Sequence, residues 1–493
     1  MRLPRGMAMT SNQNSFAAAI AANRFGLGAR PGELAIVEKD PASWLKQQLN
    51  GSPPVLAGDG LKPSAETLAR VLELRQEVAA ERREKKQAGD DDDNAKVAAA
   101  LKLPAIYRPV YIDEAYARLA HAIGTDRPFV ERLTQFWTNH FAVSIDKVAV
   151  LGLAGAMERE AIRPRVTGSF TDLLLAVEKH PAMLLYLDNH ASIGPNSKAA
   201  RFVNRRDNGR GKGRKVGINE NLAREILELH TLGVDGGYTQ TDVTTFAQAI
   251  SGWSIGGEDN GRRLAKLGLP NGKPGEFSFR EAFHEPGAKR LLGRSYPDDG
   301  VRQGEAILED LALRRETARH ICTKLARHFI ADDPPPAAVE RLTRAWLASK
   351  AHLPTVYAAL IEAPETWQQP LAKFKTPADY IYSSYRALGI PLREKRRSLQ
   401  AFEALGQRNL MPGSPAGWPD TSADWDGSSA LLKRIAWADV VAQRMGDARN
   451  ARALAPQLLG GTLTDDTGKA IARAESGAQA LTLLMASPEF MRR

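Results

Sequence analysis

The densest set of reactive side chains lies in Asn219–Trp253, NENLAREILELHTLGVDGGYTQTDVTTFAQAISGW. At about 100° per residue, Leu222, Ala223, Ile226, Leu229 and His230 share one helix face, while Asn221, Arg224, Glu225 and Glu228 gather on the other. Two carboxylates one turn apart can divide acid and base work if one is desolvated and the other is held ionised by Arg224. Glu225, Glu228 and His140 are therefore the candidate catalytic groups, with Arg224 beside them. Asn189 (or Asp188), Asn221 and His284 are the polar groups that folding could bring up as substrate-binding residues. The same three, Glu225, Glu228 and His140, are also the candidate ligands of a divalent metal, as helix-borne carboxylates are in bundles. The competing reading makes the stripe a buried structural network in a non-catalytic binding or assembly protein, with Arg224 forked onto the glutamates and Asn221 capping a neighbour.

The elements that must position these groups are mainly helices. Glycines in LGVDGG can take positive φ and end the central helix, and Thr241 or Asp242 is placed to cap the next one. Ahead of it, helices are expected over residues 16–22, two short ones in 32–50, a long charged one at 63–87, and an aromatic-rich one with Leu133, Phe136, Trp137 and Phe141 around Asn139 and His140. A histidine among aromatics is more often a hydrogen-bonded core residue than a ligand. Further helices are expected at 148–163, 170–187, 301–331, 336–364, from Pro377, at 427–446 and at 468–490. In RHICTKLARHF, His320, Lys324 and Arg327 or His328 fall on one face, with His320 and His328 too far apart to share a small metal ion. The alternation of Phe277 and Phe279 suggests a ribbon with His284 and Glu285 at its turn. The chain thus reads as a 1–15 tail followed by one large multi-helix domain, 16–493, with a mobile basic loop at 192–217 and a β-ribbon or irregular insert at 255–300.

Composition narrows the function classes. The chain has 493 residues, 43% of them hydrophobic, and a formal charge of +10, which favours anionic partners such as an acidic polymer. Part of that excess is local: 201–215 carries seven Arg or Lys and one Asp. That cluster lacks interleaved aromatics and a helix-turn-helix or zinc module, which argues against a nucleic-acid binder. With one cysteine, Cys322, neither an intramolecular disulfide nor a cysteine zinc site can form. No apolar run approaches the roughly 20 residues of a membrane helix, and the N-terminal segment is a poor secretory signal, which slightly favours the cytoplasm. The aspartates of QAGDDDDNAK read as a solvated loop before a cation site. A GxxxxGK[ST] loop, a GxGxxG turn, a GxSxG elbow and HExxH are all missing from the sequence.

Seven stretches, in order, carry a resemblance: FWTNHFAVS, LLYLDN, NENLAREILELHTLGVDGGYTQTDV with AISGW, FHEPGAKRLLG, KLARHF, FKTPADYIYSSYRALG and SPAGWPD. Together with NRFGLGARPGEL near the start they resemble the bacterial family called domain of unknown function 1800, over roughly residues 20–490. The resemblance implies a mostly helical protein of unassigned activity. It also implies a family in which export signals are common and a sulfatase-like companion protein is encoded nearby. The chain departs from the family pattern at Thr138, where a second histidine or another polar residue is frequent, and at Glu285, where aspartate is.

Overall fold

The computed structural model describes residues 11–87, 94–206, 217–257, 272–368 and 371–493. The architecture is mainly α, as the periodicity requires, and two small antiparallel sheets are its only paired strands among the described residues. None of these helices is long and apolar enough to cross a membrane. The aspartate run of 90–93 and most of the basic cluster, 207–216, lie outside the described residues.

Local chemistry explains most helix boundaries. Asp40 caps Pro41–Gln48 by accepting from the Ser43 amide, with Pro41 at the first turn where its missing N–H costs nothing. Thr376 does the same for Pro377–Leu388, and Gly389 closes that helix at φ +59°. The helix after the central stretch starts at Gln240, capped by Thr239 and not by Thr241 or Asp242. Asp242 has the reciprocal role, accepting from the Thr239 amide, so the pair forms a capping box. The segment expected as one helix over 468–490 is three: Asp465–Ala472, Gly477–Ala486 and Pro488–Met491. Ser476 and Ser487 accept amide hydrogens from Gln479 and Phe490 and restart the chain each time, and Pro488 prevents continuation.

Two expectations about irregular segments need correcting. Within 192–217, Lys198–Arg206 is a helix; Ala199 and Ala200 pack under it against Ile193, Ala282 and Phe283, and Ser197 accepts from the Ala200 amide. In the insert, Phe277–Phe279 pairs with Trp253–Ile255, and a separate hairpin joins Lys289–Leu291 to Arg294–Tyr296. Leu292 and Gly293, both at positive φ, make the hairpin turn. His284 and Glu285 sit between the two sheets, not at a turn, because the alternation of Phe277 and Phe279 is satisfied by a strand some 25 residues earlier, a separation no local pattern reveals.

One hydrophobic core runs through the body, with Trp137, Trp253 and Trp346 fully buried in it. An ionic network crosses the same interior: Arg163 bridges Glu131 at 2.5 Å and Glu158 at 2.9 Å, and Arg118 meets Glu158 at 2.8 Å. Charges this deep persist only when paired. The network pins the Pro128–His140 helix to its neighbours.

Candidate active site

The central helix carries the candidate stripe on its outer side. Asn221 is exposed, and Arg224, Glu225 and Glu228 are only partly buried. Arg224 pairs with Glu220 at 3.2 Å and donates to Gln240 at 2.8 Å, so it does not fork onto Glu225 or Glu228. The competing picture of this stripe as a buried network is therefore corrected: an amphipathic helix buries its apolar face, and this polar face looks outward. Burial beside Tyr186, together with the repulsion of Glu228, raises the Glu225 carboxyl above its usual range, while His230 and Arg224 oppose the rise.

What the helix does bury is His230. From Ile226 to His230 the backbone widens into a π-turn, a form often found at functional sites. Carbonyls at its end take side-chain donors: Thr231 donates to Ile226 O at 2.7 Å, His320 to Leu229 O at 3.2 Å and His140 to His230 O at 3.2 Å. Gly233, at φ +87°, allows this crowding, since a Cβ there would stand 2.8 Å from the His320 ring. His230 itself donates from Nδ1 to Glu178 at 2.8 Å. His140 lies under the aromatic face, in contact with Phe136, Trp137 and Phe141. Its Nδ1 accepts from Lys324 at 3.0 Å.

The remaining candidates fasten loops. Asn189 is buried and donates to the carbonyls of Ile250 and Trp253. His284 donates from Nδ1 to Ser251 O at 3.0 Å, and the two oxygens of Glu285 accept from the amide and side chain of Asn196. Among the described residues no three His, Cys, Asp or Glu side chains are grouped as metal ligands would be.

A cavity of about 530 Å³ lies elsewhere, and neither Glu225 nor Glu228 lines it. Its walls come from the Pro128–His140 helix (Phe136, Thr138, Asn139), the Arg315–Phe329 helix (Lys324, Arg327, His328), the Pro377–Leu388 helix (Asp379, Tyr382) and the loop from Gln407 to Asp424. The loop is held against the first helix by one amide: Asn139 accepts from the Trp418 N–H at 2.7 Å and donates to its carbonyl at 2.9 Å. Gly417, at φ +84°, is what permits this, because a Cβ there would sit 2.3 Å from the Asn139 carbonyl oxygen. Lys373 adds a second anchor on the Asp420 carbonyl and on Asp332.

This clamp sets Asp420 against His328. The two carboxylate oxygens stand 3.0 and 3.1 Å from Nδ1. A carboxylate can only accept, so Nδ1 carries the hydrogen and the neutral ring keeps its lone pair on Nε2. That Nε2 is buried and has no hydrogen-bond partner among the described residues. Burial pushes the imidazole below its ordinary value, as do Arg493 and Arg132, against the pull of Asp420. Burial alone would raise Asp420, but His328, Lys373 and Arg493 hold it at about 2. The result is an ionised orienting carboxylate behind a neutral imidazole, the arrangement of a general base. Of the cations in the wall, Arg132 meets Asp379 at 2.8 Å and Arg118 meets Glu158. Arg327 donates to the Asp332 carbonyl and Lys324 to His140, and neither has a carboxylate within 4 Å among the described residues.

The family described as protein of unknown function (DUF1800) matches residues 20–492. The chain belongs to the DUF1800 family. No curated protein and no solved structure matches it. In this DUF1800 chain, four of the seven stretches that carry the resemblance, FWTNHF, KLARHF, FKTPADY and SPAGWPD, converge on the cavity. The other three tie down the loops around Asn189, Ser251 and His284. Reading one helix at a time found the face that carries Lys324 and His328 but not their role, because the carboxylate that orients His328 lies 92 residues away.

Proposed function

We propose that this DUF1800 protein is a hydrolase or lyase that works by general acid–base chemistry on a polar or anionic substrate. The observation that carries the reading is His328, a residue of the cavity wall whose ring is oriented by Asp420 and whose buried Nε2 has no hydrogen-bond partner among the described residues. From that nitrogen the imidazole would take a proton from an attacking water, or from a carbon next to a carbonyl, and return it to the leaving group. Lys324 and Arg327, with no carboxylate within 4 Å among the described residues, are suited to a carboxylate, sulfate or phosphate group, and Asn409 adds a neutral amide to the same wall. A polymer bearing such groups suits the same wall. It is also the kind of ligand that a sulfatase-like companion would share.

The test is turnover of a panel of carboxyl, sulfate and phosphate esters and of acidic oligosaccharides by wild-type protein and by His328→Gln. Loss of a measured activity in the variant at an unchanged melting temperature supports the reading. Activity that survives the substitution removes it.

A further inference from the structure

Lys324 is placed for more than charge. It stands one turn before His328 on the Arg315–Phe329 helix, on the same face, and its chain lines the cavity. Its Nζ lies 3.0 Å from His140 Nδ1. Because His140 Nε2 is committed to a carbonyl, which can only accept, Nδ1 is the lone-pair nitrogen and takes a hydrogen from the lysine. The buried imidazole is neutral, held well below its ordinary value by burial first and then by Lys324, His230 and His320. The lysine is thus bonded to a neutral acceptor, where an ordinary buried lysine would meet a carboxylate.

We propose that Lys324 is an amine nucleophile that condenses with an aldehyde or ketone in the cavity to form an imine. The groups facing it are His140 from the aromatic helix, with His230 and Glu178 behind that ring, His320 and Arg327 from its own helix, and Asp420 from the loop. Burial brings the ammonium down to about 8, Arg327 acts in the same direction, and Asp420 opposes them. Near pH 8 about half of such a side chain is free amine, against well under a hundredth of an ordinary lysine. The nitrogen lone pair attacks the carbonyl carbon and the carbonyl π pair moves to oxygen. The nitrogen passes a proton to His140 Nδ1, and the imidazolium returns that proton to the alkoxide oxygen, giving a neutral carbinolamine. The carbinolamine then loses water, leaving C=N. One amine and one carbonyl give one imine and one water, with no oxidant or reductant. The proposal uses the same cavity as the acid–base reading but does not depend on His328 being a base.

The experiment treats the full chain with glyoxylate, a small aldehyde that carries a carboxylate, across pH 6–10. Borohydride then reduces any imine to a secondary amine, and the modified lysines are located by peptide mass spectrometry. At pH 8, Lys324 should be modified at least about ten-fold faster than the exposed Lys39 and Lys433, with a midpoint near 8 rather than above 10. His328→Gln should leave this labelling in place, so failure of the acid–base reading and failure of this one are separate results. Labelling of Lys324 no faster than of Lys39 and Lys433 in the wild-type protein overturns the proposal, and it needs no variant to fold.

Discussion

At the scale of single residues the account turns on one ring nitrogen. Replacing His328 by glutamine removes the proposed base and should lower kcat by about 10²–10⁴-fold, the usual contribution of a positioned proton acceptor. Glu225→Gln and Glu228→Gln, on a partly exposed face away from the cavity wall, should leave kcat within about two-fold. A loss of more than about 10²-fold in either would return the site to the stripe. Steady-state kinetics of the three variants, with melting temperatures alongside, separates these outcomes. What was legible at this scale was residue type and helical face: His230 was placed among apolar residues and is buried there. The pairing of His328 with Asp420, and of Lys324 with His140 across 184 residues, was not legible, because spacing along one helix says nothing of what another segment brings to it.

At the scale of elements, the loop from Gln407 to Asp424 matters most. It contains little regular structure and owes its position to a few polar anchors: the Asn139 amide on Trp418, Lys373 on the Asp420 carbonyl, and Ser422, whose amide donates to Asp332 at 2.9 Å. Gly417→Ala would force a side chain into a left-handed backbone position and against the Asn139 carbonyl. The expected cost is about 1–3 kcal/mol, seen as a lowered denaturation midpoint, together with reduced activity as Asp420 leaves His328. An unchanged midpoint would mean that the loop is held in some other way. Helices with strong periodicity and clear punctuation, such as Pro41–Gln48 and Pro377–Leu388, were readable from the proline at their first turn. The broken C-terminal helices and the Lys198–Arg206 helix were not. Serine restarts look like ordinary helix positions, and the short helix is supported by packing against Phe283, far along the chain.

At the scale of the molecule, several histidines are buried in the neutral form, and this links stability to pH. His140, His320 and His328 are all depressed, chiefly by burial, His320 to about 4. In the unfolded chain they titrate near 6.5, so between about 6.5 and 4 the unfolded state binds more protons and folding weakens as pH falls. The contribution is complete above about 6.5 and is lost through the folded values, on the order of 3 kcal/mol for His320 alone. Urea midpoints measured from pH 7.5 to 4 should fall steeply across that window, and a flat profile would contradict the burial of neutral imidazoles. Asp379 and Asp420 add to the loss at still lower pH, since arginines and His328 hold both carboxyls below their ordinary range.

The tautomer of His328 tests the central claim most directly. In protein labelled with ¹⁵N-histidine at pH 7, the resonances lost on His328→Gln should show a protonated Nδ1 and a bare, lone-pair Nε2. A hydrogen on Nε2, or a doubly protonated ring, would leave the cavity without its base and contradict the account.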